Sequence, residues 1–318
     1  MKAIGGFLEE EDLSYKSINE SINEKLSFSN GRSALFSILK NTKPQKIYLP
    51  YYICDAILQP IKKLEIKYTF ILLNEALEFE QLPNLKDDEF ILGVNYYGLK
   101  TQYMKTLLSL FKTRLIIDNS QAFFAPHINT WTFNSLRKFF GVPDGSLLST
   151  PYPIKILRSG VINTPNTSHL ELRREGQLEQ AYKFYQVSEG EHSVNDFKIS
   201  AYSSHVIRQL DFEYVKLKRI NNYRFLDEAL KTSNNLHLDL NTQVPLYYPY
   251  WSKKRIHHQI FWDQMIFVPF LWEECLSRQE DFDFEKKLCQ ELIPLPIDHR
   301  YGLEEMEMIV HTIEYYER

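Results

Sequence analysis

Several absences narrow what this chain can be. No stretch of its 318 residues approaches the run of about eighteen apolar residues that crosses a bilayer, so no membrane span is expected. The opening Met1-Lys2-Ala3-Ile4-Gly5-Gly6-Phe7 runs straight into Glu9, Glu10, Glu11 and Asp12, which is not a secretory signal pattern. The three cysteines, Cys54, Cys275 and Cys289, form no CxxC and no even disulfide framework, so a reducing, cytoplasmic setting is the expectation. A net charge of −4 leaves no broad basic surface for nucleic acid. There is no GxGxxG, no GxxxxGKS or GxxxxGKT and no GxSxG, so dinucleotide, NTP and serine-hydrolase chemistry are not signalled. His257-His258 has no HExxH context and is expected at the surface, with no metal site. The sequon at Asn166 reads as a chance match.

What is present is an ordinary globular composition, 44 % hydrophobic and 25 % charged, with length for a large domain and a smaller one. From about residue 30 to 150, short β-rich runs alternate with helical patterns. Helices are expected over 33–40, 54–63 (with Pro60 as a kink) and 101–111. Strands are expected over 46–50, 68–73, 89–96, 115–118 and 146–150. Continuous apolar strands in a βαβα rhythm imply a mainly parallel sheet sandwiched by helices, with ligands at the C-terminal strand ends. Beyond it, the pattern predicts a helix near 168–186 and a long one from 203 to about 231. Strands are expected over 236–240, 244–248 and 266–269, and a closing helix over 302–316. This gives an α/β fold with a large domain over 1–205. Residues 206–318 hold a long interdomain helix and a small C-terminal α+β domain.

Two residues carry the most chemistry. Asp118 ends the apolar run Leu115-Ile116-Ile117, and Lys138 follows in Ser135-Leu136-Arg137-Lys138-Phe139-Phe140-Gly141. A lone lysine is ordinarily a solvated surface group, and a strand-end aspartate ordinarily caps a turn. Together they match the needs of pyridoxal 5'-phosphate: a carboxylate to keep the pyridine nitrogen protonated and an amine to hold the aldehyde as a Schiff base. The aromatic turn is expected to desolvate Lys138, and Arg137 beside it to repel its charge, both favouring the neutral amine. Gln121 either bonds the ring oxygen or caps the next segment. Ser29-Asn30-Gly31-Arg32-Ser33 precedes a helical run, where backbone N–H groups bind phosphate and Arg32 adds charge. The same residues also serve as an ordinary N-cap. Ser135 is a second phosphate candidate. Tyr51 and Tyr52 place aromatics at a strand end, to stack on a flat ring or to pack. Asn95 either faces the site or closes a turn with Gly98. His299-Arg300 either touches an anion or caps the last helix.

Seven segments in order resemble the DegT/DnrJ/EryC1/StrS sugar aminotransferases of PLP-transferase fold type I. Ser29-Asn30-Gly31-Arg32-Ser33-Ala34-Leu35 is similar to the phosphate-binding S-G-T-x-A-L, and Tyr48-Leu49-Pro50-Tyr51-Tyr52 to V-P-x-x-T-F. Val94-Asn95-Tyr96-Tyr97-Gly98 resembles V-H-x-Y-G, and Ile117-Asp118-Asn119-Ser120-Gln121-Ala122 resembles E-D-A-A-Q-A. Lys138 with Asp144-Gly145 fits the lysine and its acidic-glycine turn. Lys218-Arg219-Ile220-Asn221-Asn222-Tyr223 is similar to R-R-x-N-Y, and Leu295-Pro296-Ile297-Asp298-His299-Arg300-Tyr301 to L-P-x-x-x-x-Y.

The resemblance implies a homodimeric enzyme that moves an amino group from glutamate to a keto nucleotide sugar for surface polysaccharide or lipopolysaccharide synthesis. A non-catalytic relative that binds a nucleotide sugar or a partner protein is the alternative. By position it makes Lys138 the cofactor-bearing lysine, Asp118 the partner of the ring nitrogen and Gln121 a ring-oxygen contact. Gly31, Arg32, Ser33 and Ser135 would surround the phosphate. The chain departs from the family in three ways. It is short. The stacking aromatic falls near Cys54, leaving Tyr52 to serve. The serine five residues before the lysine is Phe133, with Ser135 as its replacement.

Overall fold

The computed structural model describes residues 3–13, 26–156, 159–279 and 282–317. The first part of the chain forms β1 (Ile4–Gly5), β2 (Ser27–Phe28), α1 (Gly31–Thr42), β3 (Lys46–Pro50), α2 (Leu58–Lys63) and β4 (Lys67–Ile71). Then come β5 (Glu89–Val94), α3 (Thr101–Phe111), β6 (Leu115–Asp118), β7 (Trp131–Phe133) and β8 (Ser146–Ser149). Four helices follow, α4 (Ser168–Arg174), α5 (Leu178–Glu191), α6 (Ala201–Gln209) and α7 (Phe212–Leu230). The last third holds β9 (Tyr247–Tyr250), α8 (His258–Asp263), β10 (Ile266–Phe267), α9 (Asp283–Glu291), β11 (Ile293–Pro296) and α10 (Leu303–Glu317).

Seven strands make one sheet in the order β2-β8-β7-β6-β5-β3-β4. From β4 to β7 every pairing is parallel, and β8 and β2 close that edge antiparallel. β5 and β6 are buried along their whole length, as strands covered on both faces must be. The C-terminal ends of the parallel strands bring Tyr51, Asn95, Asp118 and Phe133 to one edge, and the register sets Asp118 between Val94 and Phe133. Two small sheets lie apart from it: β9 with β11, antiparallel, and β10 with β1, parallel, so the start of the chain joins its last third.

Local chemistry explains where the expected helices differ. The helix expected over 168–186 is two, because Gly176 adopts φ +78 and turns the chain after α4. The helix expected over 203–231 is also two: Asp211 is extended and accepts the Tyr214 N–H at 2.9 Å, starting α7 afresh. Residues 236–240 alternate but find no partner strand, and β9 begins at Tyr247, later than the run over 244–248 suggested. The strand expected over 266–269 is reduced to the two residues of β10. The helix expected from residue 54 starts as a 3-10 turn over Asp55–Ile57. His258 is buried, with its ring 3.7 Å from that of Phe270, where a surface position was expected.

The turn that carries Lys138 is built by a second core. Leu136, Phe139, Phe140 and Val142 pack with Ile199 before α6, Val206 and Ile207 on α6, and Val215 on α7. Each fully buried phenylalanine contributes about 1.5–3 kcal/mol. The inward pull on Phe139 and Phe140 leaves Lys138, the residue before them, on the outer side, where it is exposed. Arg219 of α7 lies 4.7 Å from the Phe139 ring centre and donates to the Leu246 carbonyl at 3.0 Å. The N-terminal segment crosses the same turn: the Gly141 N–H donates to Glu11 Oε1 at 2.7 Å, and Glu11 also bonds His299 Nε2 at 3.0 Å. A Cβ on Gly141 would stand 1.7 Å from the Glu9 carbonyl oxygen, so this crossing requires glycine. Gly141→Ala is therefore expected to lower unfolding stability by roughly 2–4 kcal/mol, read as a lower urea midpoint. A midpoint equal to wild type would show that the segment crosses elsewhere.

Candidate active site

Above the sheet's C-terminal edge lies a cleft of about 770 Å³ whose walls include Gln121, Arg137, Lys138, Phe140 and Tyr247. Gln121 and Lys138 thus face the same space although one follows β6 and the other follows β7. Asp118, at the C-terminal end of β6, is 8 % exposed. Its Oδ1 accepts the Ser120 N–H at 2.7 Å. Burial pushes its carboxyl above the ordinary carboxylate range, while the charge of Lys138 and the hydrogen bond from Ser120 pull the other way. The lysine is therefore near enough for its charge to act on the aspartate. It also acts on Cys54, whose thiol burial pushes up, and Arg32 does the same.

Gln121 is 2 % exposed, and its orientation is fixed. Its Oε1 accepts the Tyr97 N–H at 2.8 Å, which turns Nε2 away, and that buried nitrogen has no partner among the described residues. A buried amide donor left unbonded costs about 1–3 kcal/mol unless something accepts from it. Arg32, at the start of α1, repeats the pattern: its Nε is buried and unbonded, and burial together with the nearby Arg137 lowers its proton affinity. The first turn of a helix leaves its N–H groups without helical partners. Here Asn30 takes that of Ser33 at 3.0 Å, so Gly31 and Arg32 present theirs at the helix end. Ser135 opens the lysine turn without a side-chain capping bond.

Other candidates are engaged elsewhere. The Ser33 hydroxyl donates to Asn195 Oδ1 at 3.2 Å and accepts its N–H at 3.1 Å. Asn95 donates to Thr101 Oγ1 at 3.1 Å and to Asn119 Oδ1 at 3.2 Å, and its Oδ1 accepts the Lys100 N–H at 2.9 Å, so it ties strand ends together. Tyr52 is 1 % exposed, its ring 4.4 Å from Trp272 and 5.8 Å from Tyr96. It lies in the core, and Cys54, two residues on, is the member of this segment within reach of the Lys138 charge. His299 is held by Glu11, and Arg300 by Asp298 at 2.7 Å.

Arg137 is paired with Glu189 of α5, and the His192 Nε2 lies 3.8 Å from the same carboxylate. Phe7, His169 and Trp262 also line the cleft, and no local pattern marks them. Only the crossing of the N-terminal segment, α4 and α8 over the sheet edge brings them there.

No protein-family model matches the chain, and no curated protein matches it by sequence. The likeness is in three dimensions. A DegT DnrJ EryC1 StrS aminotransferase from Brucella abortus superimposes with a TM-score of 0.61 at 14 % identity, over 92 % of this chain and 85 % of that one. DesV from S. venezuelae gives 0.66 at 13 % identity, over 94 % and 86 %. The putative sugar aminotransferase Spr1654 from Streptococcus pneumoniae, solved in its PMP form, gives 0.61 at 12 % identity, over 97 % and 91 %. The chain therefore has the fold of these aminotransferases, the mostly parallel sheet flanked by helices that its sequence pattern implied.

The raised carboxyl of Asp118 fixes the sign of one pH effect. Its folded affinity for a proton exceeds its unfolded affinity, so the folded chain loses stability as pH rises from the ordinary carboxylate range of about 4 toward the raised value. Asp118→Asn keeps the Ser120 bond and removes the buried charge. In the chain without added cofactor it should raise stability at pH 7 by roughly 1 kcal/mol, with the gain vanishing below about pH 4. Thermal melts at the two pH values read this directly, and a destabilised variant at pH 7 would mean that Asp118 is already neutralised by its surroundings.

Proposed function

We propose that the chain is a pyridoxal 5'-phosphate-dependent aminotransferase that moves an amino group, taken from glutamate, onto a keto nucleotide sugar for surface polysaccharide synthesis. One observation carries this reading. A lysine and a buried amide donor unbonded among the described residues line one cleft, with a buried carboxylate within reach of the lysine's charge. The solved aminotransferases that share the fold support it.

The residues present fit the cofactor. Asp118 is a buried carboxylate lacking a charge-neutralising partner of its own, as a ring N–H requires. Gln121 Nε2 offers a donor for the ring oxygen. The Gly31 and Arg32 N–H groups, the Arg32 guanidinium and the Ser135 hydroxyl suit the phosphate. When bound, the cofactor supplies an electron sink for the carbon that bears the transferred nitrogen. Asp118 holds the proton on the ring nitrogen. Lys138 Nζ, exposed on the cleft side of its turn, takes the proton from the substrate carbon and returns it as general base and acid. Phe140 and Tyr247 keep water from that space, and burial pushes the Tyr247 hydroxyl up to about 12, so it stays neutral. In this reading Ser33, Asn95 and Tyr52 shape the site from behind, and Cys54 lies nearest the cofactor face.

We assign the large unit to residues 1–205 and the small one to 206–318, and we place the protein in the cytoplasm as a homodimer. The exposed apolar side chains of Tyr182, Phe184 and Val187 on α5 support a face that a second copy covers. Cys54 in place of a stacking aromatic favours the second reading, a relative that binds a nucleotide sugar without turnover.

Lys138→Ala is expected to remove the visible absorbance that pyridoxal phosphate gives with the wild-type chain. It should cut turnover by roughly 10³-fold or more and leave the circular dichroism spectrum unchanged. Absence of any lysine-dependent absorbance in the wild type would leave the non-catalytic reading, and normal turnover in the variant would end the enzymatic one.

A further inference from the structure

The cleft lining also holds a cation with no paired anion among the described residues. Arg173, in the last turn of α4, is 6 % exposed. Its Nη2 donates to the Gly5 carbonyl at 2.5 Å, its guanidinium carbon lies 4.6 Å from the Phe7 ring centre, and its Nε is buried without a partner. Phe7 in turn stacks on Tyr185, 4.4 Å away and 5° from parallel. The acids in this region serve other arginines: Glu10 pairs with Arg174 at 2.6 Å, and Asp298 and Glu9 lie 2.7 Å and 3.9 Å from Arg300. Burial and the like charge of Arg300 both depress the Arg173 guanidinium's proton affinity, while the Tyr301 hydroxyl, a neutral hydrogen-bond partner of the guanidinium, and the charge of Glu9 offset this. A buried guanidinium is costly to keep charged unless something negative meets it. Gly6, at φ +70, lets the chain pass without a side chain over this group: a Cβ there would stand 3.5 Å from both Nη1 and Nη2.

We infer that Arg173 binds the carboxylate of the amino donor in the cleft that it lines together with Lys138. This rests on the reading of Lys138 as the reactive amine. Charge matching favours a single carboxylate over a diphosphate. Of the three cations on the cleft wall, Arg137 is already paired with Glu189, which leaves one planar fork to meet one planar anion. Leu178, Trp262 and Phe270 line the same cleft and suit the methylene stem of a dicarboxylic amino acid better than a polar diphosphate.

The test uses glutarate, a dicarboxylate with no amino group, titrated into the wild-type chain and into Arg173→Met and Arg173→Lys, with tryptophan fluorescence as the readout because Trp262 lines the cleft. Wild type should bind, Arg173→Met should bind at least tenfold more weakly, and Arg173→Lys should fall between. With pyridoxal phosphate added, Arg173→Met should keep the Lys138-dependent absorbance, while the glutamate concentration that half-discharges it rises at least tenfold. Equal glutarate affinity in wild type and Arg173→Met overturns the assignment, as does a preference for inorganic pyrophosphate over glutarate. Should Arg173→Met fail to fold, the uncharged glutaramide decides on the wild type: binding as tight as glutarate overturns the assignment, and weaker binding supports it. Lack of any lysine-dependent absorbance in the wild type would instead fault the reading of Lys138, which separates the two failures.

Discussion

Asp144 is the constraint on which the site's geometry depends. It follows Lys138 by six residues and is fully buried. Its carboxylate accepts the Ser200 N–H at 2.9 Å, the Ser200 hydroxyl at 2.6 Å, the Asn163 amide at 2.9 Å and the Ser203 hydroxyl. A buried carboxylate tolerates its surroundings only with such a set of donors. The result joins the lysine turn to the N-terminus of α6, so the position of Lys138 is set by a helix sixty residues further along as much as by the strand before it. Phe139 and Phe140 add the apolar half of the same attachment, and Arg219 seals it from α7.

The two carboxylates of this region are treated in opposite ways. Asp144 is saturated with donors and acts as a structural anchor. Asp118 has donors from Ser120 alone and a nearby lysine, and retains unmet demand for positive charge. Gln121 and Arg32 show the same incompleteness in their unbonded nitrogens. Groups left short of partners in an otherwise well-bonded interior mark where a ligand completes the structure: Gln121 lines the cleft, and Asp118 and Arg32 lie within electrostatic reach of its Lys138 and Arg137.

Much of this was legible in the sequence. The parallel strands stood out because strands covered on both faces must be apolar throughout, and the order of Asp118 and Lys138 followed from strand ends sharing an edge. The helix breaks at Gly176 and Asp211 were missed because apolar spacing continued across both, and only the left-handed glycine and the side-chain cap interrupt it. Tyr52 looked suited to a flat ring, yet the chain bends once β3 ends at Pro50 and carries its ring into the core against Tyr96 and Trp272, while Cys54 opens the next turn. His258 looked like a surface residue because nothing local to it reveals that Phe270 folds back over its ring. Arg173 was invisible as a site residue, since its lack of an acid depends on which arginines reach Glu9, Glu10 and Asp298 first.

The parallel pairing of Ile4 with Ile266 and Gly5 with Phe267 has a temporal consequence. Strands so distant in sequence close only after a very large loop is ordered, and such contacts form late because the entropy of closure precedes any gain. Phe267, a member of that pairing, and Phe7, two residues beyond it, line the cleft. Because Leu246, Tyr247 and residues 262–273 supply one part of the lining, the cleft is complete only once the last third of the chain has been made and closed against the first strand.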